Sequence, residues 1–439
     1  MEKMFRHLLL CLTMVASRTI IPPPNPPLGW HASKTTPSHS EQVDFKVCLT
    51  ETNQKKLETI ALQVSTPTHA NYGQFLTATE IDALTAPAPK TLRNVLAWLT
   101  QYGIVPSTIV RQRTLHIHTT VQQVEQLFNT TIERWEHPSH TSTLLRARAY
   151  SIPTHLEANI MSVFGLHGVP FPAPAPAKTS KTSTTPKTPT TPKTPTNTVQ
   201  LIKSHEKLTP SILQAMYHLP PTTAATVDAA RTSSVKQAVV EFGSQSAGEY
   251  DVVNFFSKFV PATAYKKGID DAFVAPNGGA GGRPTDEAGL DIQYIMATAP
   301  GAATEYWYYK TNDLCSSFKD FLEDVLAKSS NTTASIPSVF SISYGIQGNV
   351  TGLGCDPSQI AATDADFAKV AALGITMIVA SGDSGAKVDV GDCWGGPLRN
   401  NTSLQGTTSA EHQLIDSYLT CCGLAGSSPW TFVGPGKKM

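Results

Sequence analysis

Two clusters in this 439-residue chain place reactive side chains at spacings that could support chemistry. The first is Glu287 with Asp291, four residues apart in the run Glu287-Ala-Gly-Leu-Asp291-Ile-Gln-Tyr-Ile-Met296. In a helix that spacing puts both carboxylates on one face, close enough to share a proton. The second is Ser381-Gly382-Asp383-Ser384-Gly385, directly after the β-rich run Ile375–Ala380. Each has a plain structural alternative. Most acidic pairs four residues apart are solvated surface, and a Ser/Gly/Asp cluster after a strand commonly makes a turn and caps a helix.

Two serine-bearing segments imitate nucleophile motifs. Gly382-Asp383-Ser384-Gly385 looks like the nucleophile region of chymotrypsin-like proteases, but those are all-β and need an upstream histidine base. Here Ala386-Lys387 follows, and strands alternate with helices. Gly406-Thr-Thr-Ser-Ala410 sits just after a loop dense in glycosylation sequons, with no glycine doublet before it.

The elements that must position these residues fall into two parts. In the first, Val43–Leu49 alternates as a half-buried strand does, and Gln54–Val64 and Lys90–Tyr102 carry apolar residues at helical spacing. A loop with Pro67 and Gly73 separates the two helices. Strand-like runs at Thr108–Arg113 and Thr114–Thr119 and a helix at Val121–Phe128 follow. This order predicts an α+β sandwich ending near Phe171, with nothing catalytic in it. From Pro172 to Thr198 the chain repeats Thr-Pro-Lys-Thr-Pro-Thr and holds no aliphatic residue larger than alanine. Such a stretch cannot bury a core, and reads as a solvated tether and a natural cleavage site. Beyond Leu201, β-rich runs at Val235–Phe242, Thr304–Lys310, Ser338–Tyr344 and Ile375–Ala380 alternate with helical segments at Asp251–Phe259, Glu287–Ala297, Ser316–Lys328 and Gln359–Leu373. That alternation predicts a parallel sheet covered on both faces. Sites in such sheets gather at the carboxyl ends of strands, which directs attention to the residues after Ala380.

Composition narrows the setting. Thirty-four basic residues balance thirty-four acidic ones, which argues against a nucleic-acid partner or an anionic membrane surface. Lys3 and Arg6 precede an apolar run from Leu8 to Ala16, with Ala16-Ser17 offering small residues for cleavage. This is the pattern of a secretory signal peptide. No stretch approaches the roughly 20 apolar residues of a membrane span. Outside the signal, six cysteines (Cys48, Cys315, Cys355, Cys393, Cys421 and Cys422) match no zinc spacing, and an oxidising lumen would permit disulfides whose pairing stays open. Sequons begin at Asn129, Asn331, Asn349, Asn400 and Asn401, as suits a secreted glycoprotein.

With these residues in view, the chain resembles the sedolisins, the serine-carboxyl peptidases, most closely their lysosomal tripeptidyl-peptidase branch. The run from Glu287 to Met296 is similar to that family's Glu-x-x-x-Asp helix, and Ile378-Val-Ala-Ser-Gly-Asp-Ser-Gly-Ala386 to its Ser-Gly-Asp-Ser-Gly motif. Ser338-Val-Phe-Ser-Ile-Ser-Tyr-Gly345 and Ser427-Ser-Pro-Trp430 match further landmarks. Gly29-Trp30, Ala70-Asn-Tyr-Gly-Gln-Phe-Leu76 and Phe164-Gly-Leu-His-Gly168 resemble the activation propeptide. The resemblance implies an α/β subtilisin-like parallel sheet, incomplete here, preceded by an α+β ferredoxin-like propeptide. It divides the chain into a signal peptide (1–19), an activation propeptide (20–171), a Pro/Thr/Lys-rich linker (172–200) and a peptidase domain (201–439). It also implies a Ser-Glu-Asp triad with Glu287 as general base, Asp291 as its orienting partner and Asp383 in the oxyanion hole. Near pH 4 a histidine is protonated and useless as a base, whereas a glutamate titrates close to the operating pH. Peptide or protein substrates, the chain's own propeptide as intramolecular inhibitor, and a lysosomal or extracellular destination follow from the same resemblance.

The chain departs from the family toward its end, where Lys387–Leu424 also matches the family poorly. Sedolisins carry a Gly-Thr-Ser nucleophile motif and an Asp-lined calcium site downstream, but here Ser427-Ser-Pro-Trp430 is followed by Thr-Phe-Val-Gly-Pro-Gly-Lys-Lys-Met and no more. The expectation is therefore a zymogen sequence cut short before its catalytic serine and calcium ligands, inactive as written. The alternative is a non-catalytic product acting as a propeptide-bearing remnant or binding protein.

Overall fold

The structure is a computed structural model that describes residues 18–22, 29–138, 143–170, 208–243, 245–278, 284–310, 313–330, 336–344 and 354–380. Expectations for residues 1–17, for the tether and for everything beyond Ala380, including Asp383, lie outside the described residues. The first part runs β1 (Arg18–Ile21), β2 (His31–Ala32), β3 (Gln42–Leu49), α1 (Gln54–Ser65), α2 (Ala78–Thr85) and α3 (Pro89–Gln101). It continues through β4 (Thr108–Val110), β5 (Thr114–Thr120), α4 (Val121–Phe128), β6 (Ile132–Glu136), β7 (Leu144–Ala147), β8 (Tyr150–Pro153) and β9 (Ile160–Phe164). The alternation read in β3 decides which way its side chains face. Val43, Phe45 and Val47 turn one way and pack with Val95 and Leu99 of α3 and Val124 and Phe128 of α4. Phe128 meets Phe45, Trp98 and Tyr150 edge to face, the geometry aromatic quadrupoles favour. The sheet is antiparallel in the order β4-β5-β3-β9, beside smaller β2-β6-β7 and β1-β8 sheets.

Two local readings change. The segment Thr108–Arg113 is a strand only to Val110, because Arg111 and Gln112 take φ values of 47° and 57° and turn the chain into β5. Helix α2 lies where a loop was expected. A reciprocal capping box starts it: Thr77 Oγ1 accepts from Glu80 N at 3.2 Å, and the Glu80 carboxylate accepts from Thr77 N at 2.7 Å.

The second part runs α5 (Pro210–Met216), α6 (Ala224–Thr232), β10 (Lys236–Phe242), α7 (Glu249–Phe259), α8 (Asp286–Thr298), β11 (Ala303–Tyr309), α9 (Leu314–Ser329), β12 (Val339–Ile342), α10 (Pro357–Ala372) and β13 (Thr376–Val379). Its four strands are all parallel, in the order β11-β10-β12-β13. The continuous apolar run of β10 is split between two cores. Ala238, Val240 and Phe242 pack on Phe321 of α9 and Val370 of α10. Val239 faces the other way, with Phe256 of α7 and Ile292 of α8. The sheet is thus covered on both faces, as expected of the pattern.

The two parts meet across α9 and α10. The side of β3 and β5 that does not face the first core turns toward these helices. Lys46 bonds Asp320 and lies 3.7 Å from Glu323, and His116 Nε2 is 3.0 Å from the same carboxylate. Lys369 bridges Asp366 (2.7 Å) and Glu51 (2.6 Å), and Lys319 reaches Asp366 at 2.6 Å. Gln359 Nε2 donates to the Val163 carbonyl at 2.8 Å. Beside the charges, Cys48 and Phe164 share an apolar cluster with Leu314, Ala362 and the Cys315–Cys355 disulfide, while Cys48 keeps a free thiol. Removing one member of such a buried network would leave its partner's charge uncompensated, so the network resists rearrangement of the two parts.

Candidate functional site

Helix α8 lays Ala288, Ile292 and Met296 on the sheet. Glu287 and Asp291 each precede one of those residues by one position, so they flank the buried stripe where α8 crosses the sheet edge. Glu287 lies in the helix's first turn. The face of β10 that carries Val239 carries Glu241 two residues on, just before the strand ends, and Glu241 is fully buried. Ser343 follows the last residue of β12, the neighbouring parallel strand. The structure therefore gathers Glu241, Glu287, Asp291 and Ser343 at the carboxyl ends of β10 and β12. Chain direction also carries β13 to this edge, where Ala380 N donates to the Ile342 carbonyl at 3.0 Å. Asp383 comes three residues later, outside the described residues.

The electrostatics follow from burial and crowding. Burial first, then the Asp291 and Glu287 charges, push Glu241 up to about 9, so it is protonated at neutral and acid pH. No N–H or hydroxyl donor among the described residues reaches either Glu241 oxygen. The hydrogen between Glu241 and Asp291 is then the Glu241 carboxyl's own proton. Burial also raises Asp291, offset by hydrogen bonds from Ser343 and Glu241. The result is a row of acids in which one holds a proton, the next accepts it, and Glu287 stands one helical turn away. Such a row can orient a carboxylate and pass it a proton. His218, the one histidine described between residues 208 and 380, is exposed after α5.

Glu241 and Ser343 were not singled out from the sequence. One signal for Glu241 was available: a lone acid in the otherwise apolar end of Val235–Phe242. Among the described residues no group of three or more His, Cys, Asp or Glu side chains could hold a metal ion. No step below runs through the calcium that the resemblance implies. No helix among them is long and apolar enough to cross a membrane.

Comparison with known proteins shows what the chain is similar to. Residues 29–169 match the family model described as pro-kumamolisin, activation domain, and they span the antiparallel part from β2 to β9. Over most of its length the chain is similar to tripeptidyl-peptidases, and residues 29–169 to an activation domain. It is 28% identical over 393 residues to tripeptidyl-peptidase 1 of Rattus norvegicus and to that of Mus musculus, covering 88% of this chain and 63% of each relative. To tripeptidyl-peptidase 1 of Homo sapiens it is 28% identical over 373 residues, covering 84% of this chain and 60% of the relative. The chain thus spans about three fifths of the length of these relatives.

Proposed function

We propose that this chain belongs to the zymogen of a serine-carboxyl peptidase that hydrolyses peptide bonds at acid pH. In this reading the parallel-sheet part is subtilisin-like and the antiparallel part is a ferredoxin-like propeptide. Residues 20–171 form the activation propeptide, 172–200 the linker cut on activation, and 201–439 peptidase sequence. Glu287 is the general base for a seryl nucleophile, which is not assigned among the described residues. Asp291 orients Glu287 by sharing a proton with it. Asp383, protonated, donates to the oxyanion that develops as the carbonyl is attacked. Substrates are peptides or proteins, and the setting is the secretory pathway, with a lysosomal or extracellular destination.

The observation that carries this reading is the protonated Glu241 buried against Asp291 at the carboxyl edge of the sheet. It holds the proton that lets Asp291 stay placed beside Glu287 without a histidine. The test uses the secreted product of the gene, treated at acid pH and assayed on fluorogenic peptides across pH 3–8. The expected result is hydrolysis confined to acid pH and abolished by Glu287→Gln. A maximum at neutral pH, or undiminished hydrolysis by E287Q, refutes the assignment.

A further inference from the structure

We propose, resting on the reading of residues 29–169 as a part that must leave, that His167 is an acid-sensitive latch whose protonation loosens the activation domain from α9 and α10. The ring is 2% exposed and lies where the two parts touch. Its Nε2–H donates to the Arg148 carbonyl at 2.9 Å, and its Nδ1 has no hydrogen-bond partner among the described residues. The Tyr150 ring packs on it at 4.8 Å between centroids. Next along the chain, Gly168 has φ +92°, and a Cβ there would come within 2.9 Å of the Asp313 Cβ that begins α9. A void of about 10 Å³ is lined by Trp135, Arg146, His167 and Gly168 from one part and by Gly354 from the other.

Charged groups face the ring from each side. On β7, Arg146 donates from Nε to the Gly168 carbonyl at 2.5 Å and stands 3.6 Å from Asp313. From α10 comes Asp356, whose Oδ1 caps the helix by accepting from Ser358 N and Gln359 N at 3.0 and 3.1 Å, and whose Oδ2 has no hydrogen-bond partner. Protonation at Nδ1 would add a second N–H with no acceptor in reach and a second cation beside Arg146. Burial lowers the His167 pKa, and the Arg146 charge adds to that, against the Arg148 carbonyl and Asp356, which favour the cation. A released His167 titrates near its ordinary value of about 6.5. The neutral ring therefore stabilises the joint fully above that pH, and the contribution is lost as pH falls through the lower folded value. Asp313 works against the effect: burial raises it despite Arg146, so the docked form holds its proton more tightly and acid favours the joint there. His116 Nε2 lies 3.0 Å from Glu323 elsewhere in the same joint.

The full chain, with the tether intact, is followed by hydrogen exchange between pH 7.5 and 4, corrected for the intrinsic pH dependence of exchange. In the wild type, peptides of β9 and α10 are expected to lose protection together below about pH 6.5. His167→Gln keeps an N–H for the Arg148 carbonyl and cannot gain charge. It should move that midpoint down by at least about half a pH unit. An unchanged midpoint in H167Q overturns the latch. If H167Q fails to fold, the imidazole of wild-type His167 is titrated directly by NMR: a pKa below about 6.5 supports the latch and a value at or above it overturns it. A shifted midpoint in H167Q with unaltered acid activation of the secreted gene product would leave the latch standing and refute the inhibitory role of the activation domain.

Discussion

Glu241→Gln isolates the buried acid at the sheet edge, because the amide keeps the shape of the carboxyl and can still donate to Asp291. In the folded chain Glu241 titrates at about 9, against about 4.3 for an unfolded glutamate. A raised pKa of this kind stabilises the fold fully below the unfolded value, and the contribution is lost as pH rises toward the folded one. Within that window each pH unit costs about 1.4 kcal/mol, so going from pH 5 to 7 should cost the wild-type strand about 2.7 kcal/mol. Glutamine has no such term. Hydrogen exchange of the β10 amides in the full chain reads the opening free energy at each pH. The wild type should lose about 2–3 kcal/mol between pH 5 and 7, and E241Q less than about 1 kcal/mol. Equal losses in the two chains would show that Glu241 is already ionised at neutral pH. The proton assigned between it and Asp291 would then not exist.

Two further perturbations probe the framework. Lys46→Met removes a cation from beside Asp320 and the buried Glu323. Burial opposes the Glu323 charge, and Lys319, Lys46 and His116 overcome it and hold that carboxyl far below its usual range. Losing one of these partners should weaken the joint by about 1–3 kcal/mol, read as lost exchange protection in β3 and α9 at pH 7; unchanged protection would show that Lys46 is immaterial. Cys315→Ser opens the Cys315–Cys355 bridge, whose cysteines are 40 residues apart. It should lower stability by about 2–4 kcal/mol. Coincident melting of C315S and the oxidised wild type would rule that out.

The four strands and the helices α7 to α10 of the parallel-sheet part were legible because each was a continuous apolar or amphipathic run, whereas the short helices α5 and α6 were not read. Val235–Phe242 differs from β10 by one residue at its start, and Gln359–Leu373 differs from α10 by two residues at its start and one at its end. Helix α2 was missed because eight residues give its apolar face only two turns to declare itself, although the Thr77/Glu80 pair was a start signal. At the site, the Glu287–Asp291 spacing could be read from one helix. Glu241 could not, since its role depends on which face of β10 meets α8, and a run buried on both faces has no alternation to show it. Lys46 and His116 occupy the polar positions of alternating strands, which a sequence reading gives to solvent. The structure gives them to Glu323.

Strand β3 answers to two bodies at once. Phe45 and Val47 complete the core of its own domain, while Lys46 and Cys48 between them meet helices some 270 residues further along the chain. A slip of one residue in its pairing with β5 would exchange the two sets. Lys46 would be driven into the aromatic core and Phe45 set against Glu323. Both surfaces would fail together, so a misaligned activation domain could not dock by compromise. The alternation in this strand thus couples the two surfaces: only a part already folded in register presents Lys46 and Cys48 to α9 and α10.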